Sequence, residues 1–209
     1  MHDRVQIPGM NTSRSTRRVR LMTFAILCCI VAVAVSERPT FPGAAGALAG
    51  FGGFVLVSVA ALGRLWTSLF IAGRKDATLV QSGPYAACRH PLYTLSLVAM
   101  FGLGLATRSL VLLVALVALA VVLHLRAIRA EDAALEASHG DPARQYRAQV
   151  PALLPDLSRY SVPETLVIQP RVVWKAVIDA GSLLLAFALV QAAHLLQHAG
   201  AIATWLRLP

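Results

Sequence analysis

Residues Gly83-Pro84-Tyr85-Ala86-Ala87-Cys88-Arg89-His90-Pro91-Leu92-Tyr93 bring a guanidinium, an imidazole, a thiol and two phenols into one short stretch. Pro84 and Pro91 push the residues before them, Gly83 and His90, out of the α region. Pro91 suits the first position of a new helix, where its missing N–H costs nothing. Arg89 and His90 then stand at a helix N-terminus, where free N–H groups and the dipole favour an anion. Tyr85 and Tyr93 can stack on a flat ring or face a cation. A second chemical element lies downstream. His124, Ile128, Glu131 and Leu135 recur at spacings that fall on one stripe of a helix. Glu131 therefore sits on an apolar side, where a carboxylate is costly without a partner. Blander readings exist for each residue: His90 as a helix cap, Glu131 paired with Arg89 or Arg129, Arg147 holding a lipid phosphate, the whole stretch a basic interfacial loop.

The elements that must position these groups are apolar. Of 209 residues, 57% are hydrophobic and only 14% charged, with a mean hydropathy of +0.66. That balance points to a polytopic membrane protein and leaves no room for a second soluble domain. Three cysteines, Cys28 and Cys29 in an apolar run and Cys88 in the polar stretch, make no disulfide framework. The net charge of +9 is explained by membrane topology better than by nucleic acid. With the N-terminus in the cytoplasm, all basic residues but Arg38, Arg108 and Arg207 fall on the inner side. The same orientation puts the Gly83–Tyr93 stretch and Glu131 on one face of the membrane.

In chain order, residues 1–20 are basic, without periodicity, and are expected to be disordered or to lie on the membrane surface. Leu21–Val35 is a short first span. Ala44–Leu62 is a second, whose Gly46, Gly50, Gly52 and Gly53 suit close helix packing rather than a nucleotide loop. Arg64–Ser82 reads as interfacial, with Trp66 and Phe70 at headgroup level. Pro91–Ala106 and Leu110–Leu125 form a hairpin of two short spans, and a helix over about His124–Ser138 then leaves the membrane. Gly140 suits its C-cap, Asp141 the next N-cap and Pro142 the first position of a short helix carrying Arg144, Tyr146 and Arg147. Residues 156–171 are a polar connector and Trp174–Leu196 a fifth span, in which Lys175 and Asp179, one turn apart, are expected to neutralise each other. The fold expected is an all-α membrane bundle of about five spans, with a cytoplasmic helical tail between the fourth and fifth. Its parts are residues 1–20, a membrane-embedded domain over 21–155, and a connector with an extra helix over 156–209.

The run Gly83-Pro84-Tyr85…Arg89-His90-Pro91-x-Tyr93 resembles the signature of the isoprenylcysteine carboxyl methyltransferase family and its bacterial, phospholipid methyltransferase-like relatives. The resemblance begins at Leu62-Gly63-Arg64 and Leu79-Val80-Gln81-Ser82. It resumes at Glu131-Asp132 and His139-Gly140…Tyr146…Val150-Pro151…Leu154-Pro155. It implies an integral membrane enzyme, in a bacterial inner membrane with its site facing the cytoplasm. Such an enzyme moves a methyl group from S-adenosylmethionine, leaving S-adenosylhomocysteine, to a lipophilic acceptor. It implies cofactor binding by Gly83, Pro84, Tyr85, Arg89, His90, Pro91, Tyr93, Glu131 and Asp132, catalytic roles for Glu131 and Arg147, and no metal. The sequence departs from the family at Ala87, Asp132, His139 and Thr94-Leu95, which leaves the acceptor atom open among carboxylate, thiol and amine. Two other classes compete: an NADPH-dependent membrane reductase of the sterol-reductase type, and a membrane protein without enzymatic activity. Oligomeric state is not legible.

Overall fold

The computed structural model describes residues 12–35, 41, 43–71 and 79–201. Among the described residues there are seven α-helices: α1 (Thr12–Val35), α2 (Gly43–Ile71), α3 (Pro84–Ala87), α4 (Pro91–Ala106), α5 (Leu110–His139), α6 (Asp141–Gln149) and α7 (Pro170–His198). One 3-10 turn, Leu157–Arg159, interrupts the segment before α7. Helices α2, α5 and α7 are each long and apolar enough to cross a membrane, and Leu21–Val33 and α4 are shorter apolar helices. The arrangement is a membrane helical bundle.

Its packing follows from lipid as the outer solvent. Phe24, Phe51, Val59, Val114 and Leu185 point outward, while the interior is filled by small residues such as Ala60, Ala99 and Ala120 around Val57 and Leu103. Without water to squeeze out, association of such helices rests on close backbone approach. The tightest crossing shows this: a Cβ on Gly53 of α2 would lie 2.6 Å from the Gly102 carbonyl oxygen of α4. Helix α2 packs on α4 and α7, α5 on α4, and α1 on α7 and α5.

Several boundaries differ from the sequence reading. Helix α1 starts at Thr12, inside the basic stretch expected to be disordered, because no proline or glycine breaks Thr12–Leu21. Helix α2 continues through Arg64 and Trp66 to Ile71, taking in half of the expected interfacial segment. Arg74, Lys75 and Asp76, and the Glu37-Arg38-Pro39 turn, lie outside the described residues. The fourth span and the helix after it are one continuous 30-residue helix, α5. Gly140, with φ of 60°, both ends α5 and caps α6, so Asp141 is the first residue of α6 rather than its cap. A left-handed backbone there is a glycine conformation.

Candidate active site

The Gly83–Tyr93 stretch is held in shape by a strap, residues 150–161, that follows α6. Arg89 and His90 donate their backbone N–H groups to the carbonyls of Pro151 and Ala152, at 2.9 and 3.1 Å. Asp156 donates its own to Ala87, and Gly83 donates to Ser161 in an isolated antiparallel bridge. Gly83, with φ of 61°, lies so close to Phe70 that any Cβ would enter its ring. The Thr94 hydroxyl donates to the Leu153 carbonyl at 2.7 Å, and the Cys88 thiol to that of Ala152 at 3.2 Å. Tyr146 of α6 donates its hydroxyl to the Tyr85 carbonyl at 2.6 Å. Burial pushes the Tyr85, Tyr146 and Cys88 pKa values up, Glu131 adding to the effect at Tyr85. All three stay protonated near neutrality, so Tyr146 is a donor and Cys88 is not a thiolate.

On the inner side of this loop lies a cavity of about 300 Å³ between α1, α2, α4, α5 and α7. Tyr85, Arg89, His90, Pro91 and Tyr93 line it from the loop and the start of α4, His124 and Glu131 from α5, Arg64 from α2 and Asp179 from α7. The His90 and Tyr93 rings stack at 5.6 Å, and His124 meets Tyr93 edge-on at 5.2 Å. His124 Nδ1 lies 2.6 Å from the Ala120 carbonyl, which places a proton on that nitrogen. Tyr93 donates its hydroxyl to Glu131 Oε2 at 2.8 Å.

The adjacent carboxylates Glu131 and Asp132 are differently used. One residue is about 100° of helix rotation, so the two side chains leave α5 in different directions. Asp132 is buried, with Oδ1 2.8 Å from His90 Nε2 and Oδ2 3.3 Å from Arg89 Nη1. It holds the Arg89 and His90 side chains and does not line the cavity. Glu131 is partly exposed, lines the cavity and approaches His90 Nδ1 only to 3.8 Å. The carboxylate against Arg89 is thus Asp132, and the hydroxyl on Glu131 is that of Tyr93. The His90 side chain makes no capping hydrogen bond to α4.

Arg89 is the electrostatic anomaly. Its side chain is only 11% exposed, yet Nε and Nη1 have no hydrogen-bond partner among the described residues. Asp132 already pairs with the charge through Nη1 at 3.3 Å, but hydrogen-bond donors left unmet in a buried place are costly, and a second anion could complete them.

The structure brings together most of the residues singled out from sequence, and separates some. Gly83 and Pro84 shape the loop from its back, Gly83 against the strap, and do not line the cavity. Arg147 stands half-exposed on α6, 3.9 Å from Asp132 and 3.6 Å from Glu136, and does not line the cavity. Asp179 does not pair with Lys175. Its Oδ2 accepts from Arg64 Nε and Nη2 at 2.8 and 2.6 Å, a contact across 115 residues that nothing local could reveal. Arg64 also donates through Nη1 to the Leu92 carbonyl at 3.0 Å and to the Ser96 hydroxyl. Among the described residues, no group of three or more His, Cys, Asp or Glu side chains is placed to hold a metal ion.

A family model described as phospholipid methyltransferase matches residues 42–141, which run from the start of α2 to the start of α6. The cobalt-zinc-cadmium resistance protein CzcN of Cupriavidus metallidurans is 41% identical over 116 residues, which cover 56% of this chain and 53% of that protein. The nickel-cobalt-cadmium resistance protein NccN of Alcaligenes xylosoxydans xylosoxydans is 34% identical over 157 residues, covering 75% of this chain and 73% of that protein. This chain therefore spans about half the length of the first relative and nearly three quarters of the second. No solved structure matches.

Proposed function

The chain belongs to the phospholipid methyltransferase family, the isoprenylcysteine carboxyl methyltransferase-like group, and on that premise we propose that it is a membrane methyltransferase. It uses S-adenosylmethionine and modifies a lipophilic acceptor from the cytoplasmic face of a bacterial inner membrane. The observation that carries the reading is Arg89, whose Nε and Nη1 have no hydrogen-bond partner among the described residues, on the wall of a cavity that Glu131 also lines. S-adenosylmethionine has a carboxylate, an ammonium and a flat adenine, and the donor set fits all three. Arg89 and the start of α4 would take the carboxylate. Glu131, with Tyr93 holding one oxygen, would take the ammonium. The stacked His90 and Tyr93 rings offer the aromatic wall for adenine.

When bound, the cofactor supplies a methyl group on a positively charged sulfur. This chain's residues align and exclude water, the main protein contributions to such a displacement. Asp132 fixes Arg89 and His90, and the strap fixes their backbone. If the acceptor must lose a proton, the Glu131 carboxylate is the group in the cavity that would hold it, with His90 the alternative. Arg147, on α6, would close over the site only by moving toward it. The metal resistance in the relatives' names, brought to this chain, would be reached through a methylated membrane component.

Calorimetric titration of the purified chain in detergent with S-adenosylmethionine, S-adenosylhomocysteine and NADPH tests the reading. Saturable binding of the first two and none of NADPH is expected. Binding of NADPH alone would establish the reductase reading, and binding of none would remove the cofactor from this site.

A further inference from the structure

Helix α7 lies beyond the family-matched segment, yet it contributes a carboxylate to the cavity wall. Asp179 is half exposed, at 44%, whereas its partner Arg64 is 19% exposed. Both side chains line the cavity, and the carboxylate is the more open of the two. Their contact has an unusual form. Arg64 Nε and Nη2 both converge on Oδ2 and do not form the two parallel bonds to two oxygens that such pairs frequently make. Oδ1 takes no hydrogen bond among the described residues. Arg64 is meanwhile secured from the other side by the Leu92 carbonyl and the Ser96 hydroxyl. It would stay in place if Asp179 turned to another partner. An ionised side chain inside a spanning helix is expensive, and in a membrane protein it marks a ligand path more often than a packing element.

We propose that Asp179, oriented by Arg64, is the specificity-determining residue for the acceptor: its Oδ1 receives the head group of an alkyl-chain amphiphile that carries an N–H or O–H donor. Resting on the methyltransferase reading of the same cavity, this adds the class of acceptor. The alkyl chain has an apolar surface to follow, since Met22 and Ile26 of α1 and Leu183 of α7 line the cavity beside Asp179. A carboxylate or phosphate head without a proton would be repelled by Asp179, because Arg64 has already committed its Nε and Nη1 donors. Selection is therefore for donor heads against bare anions, and it is exerted by charge at the wall rather than by shape.

The test uses the full chain in phosphatidylcholine nanodiscs without S-adenosylmethionine. Three photoreactive probes share one diazirine-bearing alkyl chain and differ in the head: ammonium, hydroxyl or carboxylate. Labelled positions are mapped by peptide mass spectrometry. The ammonium and hydroxyl probes should label Met22–Ile26 and Ser182–Leu183 about ten-fold more than the carboxylate probe. Asp179→Asn should bring the ammonium and carboxylate probes to parity, and Asp179→Glu should keep the preference. Arg64→Gln separates this role from a purely structural one. Freed of its counter-ion, Asp179 should then prefer the ammonium probe more strongly than in the wild type, whereas a structural pair predicts equal loss of thermal stability in Arg64→Gln and Asp179→Asn with no change in preference. Equal labelling by all three probes in the wild type, or an unchanged preference in Asp179→Asn, would overturn the proposal. Because no cofactor is present, head-group selection that survives a failed S-adenosylmethionine titration would sink the methyl-transfer reading alone. Normal titration with no selection would sink this one alone.

Discussion

Two arginines are drawn into the bundle at opposite ends, and each leaves a buried Nε without a hydrogen-bond partner among the described residues. Arg89 sits at the end of the strap and α6. It faces the cavity and has Asp132 3.3 Å away. Arg108 sits at the α4–α5 turn, in a left-handed conformation with φ of 55°. Its chain lies along the groove left by Gly46 and Gly50, beside Gln191, and its carbonyl accepts from the Phe41 N–H at 3.1 Å. No described carboxylate pairs with it. An idle donor by itself does not mark a site. At the Arg89 end it coincides with stacked rings, a carboxylate held by a tyrosine, and space for a ligand. At the Arg108 end it coincides with helix packing.

The largest effect this contrast allows is all-or-none. If the ends face opposite sides of the membrane, cysteines at Gln81 and Ser158 should react with a membrane-impermeant maleimide only from the cytoplasm, and one at Ala199 only from outside. A background with Cys28 and Cys29 replaced by alanine suffices, because Cys88 is 2% exposed and burial raises its thiol pKa. Labelling of all three from one side would break the two-ended description.

Next in size is the difference between the arginines themselves. A charge-assisted hydrogen bond is worth about 1.5–3 kcal/mol, so Arg89→Gln and Glu131→Gln should each weaken S-adenosylmethionine roughly 10- to 100-fold by calorimetry. Arg108→Gln should leave that affinity within about two-fold and act, if at all, on thermal stability. Equal loss of affinity from both ends would mean that the ligand site is not confined to the cavity. Lower stability with intact affinity in Arg89→Gln and Glu131→Gln would make their roles structural.

What could be read from sequence divides along physical lines. The stripe through His124, Ile128 and Glu131 was legible because helical spacing alone decides it, and His124 and Ile128 are buried as that spacing requires. The turn at Pro84 and Pro91 was legible because proline restricts its neighbours. The strap was not, since its grip on the loop runs through backbone groups that every residue carries. Nor was the Arg64–Asp179 pair: Lys175 offered Asp179 a partner at local spacing, and only tertiary packing of α7 on α2 brings the distant one closer. The separate roles of Glu131 and Asp132 needed the loop's position, since spacing shows which way a side chain leaves the helix but not what meets it.

The smallest effect concerns the strap and follows from Asp156. Its backbone N–H ties the strap to Ala87 at 2.8 Å, while its carboxylate accepts from the Ser158 hydroxyl at 2.6 Å and from Arg159 Nε at 3.1 Å. The Ser158 hydroxyl bond foremost, with the Ser158 N–H and Arg159 assisting, holds this carboxyl below its ordinary value of 3.8. A depressed pKa means that the ionised form favours the folded strap. The contribution is therefore complete above 3.8 and is lost as pH falls through the lower folded value. The group is open to solvent, so the change should be slight. Trp66 reports on it, because its indole N–H donates to the Tyr160 hydroxyl, next to the turn that Asp156 caps, at 2.8 Å. The Trp66 part of the emission, taken as the difference from Trp66→Phe, should hold steady from neutral pH down to about 5 and shift only below the carboxylate range. Asp156→Asn should remove the Asp156-dependent part of that acid shift and change S-adenosylmethionine affinity by less than about two-fold. The outer end has no described carboxylate, so a probe at Ala199 should show no such step. An emission change centred near pH 6 would lie above the carboxylate range, and the strap's acid sensitivity would then not belong to Asp156.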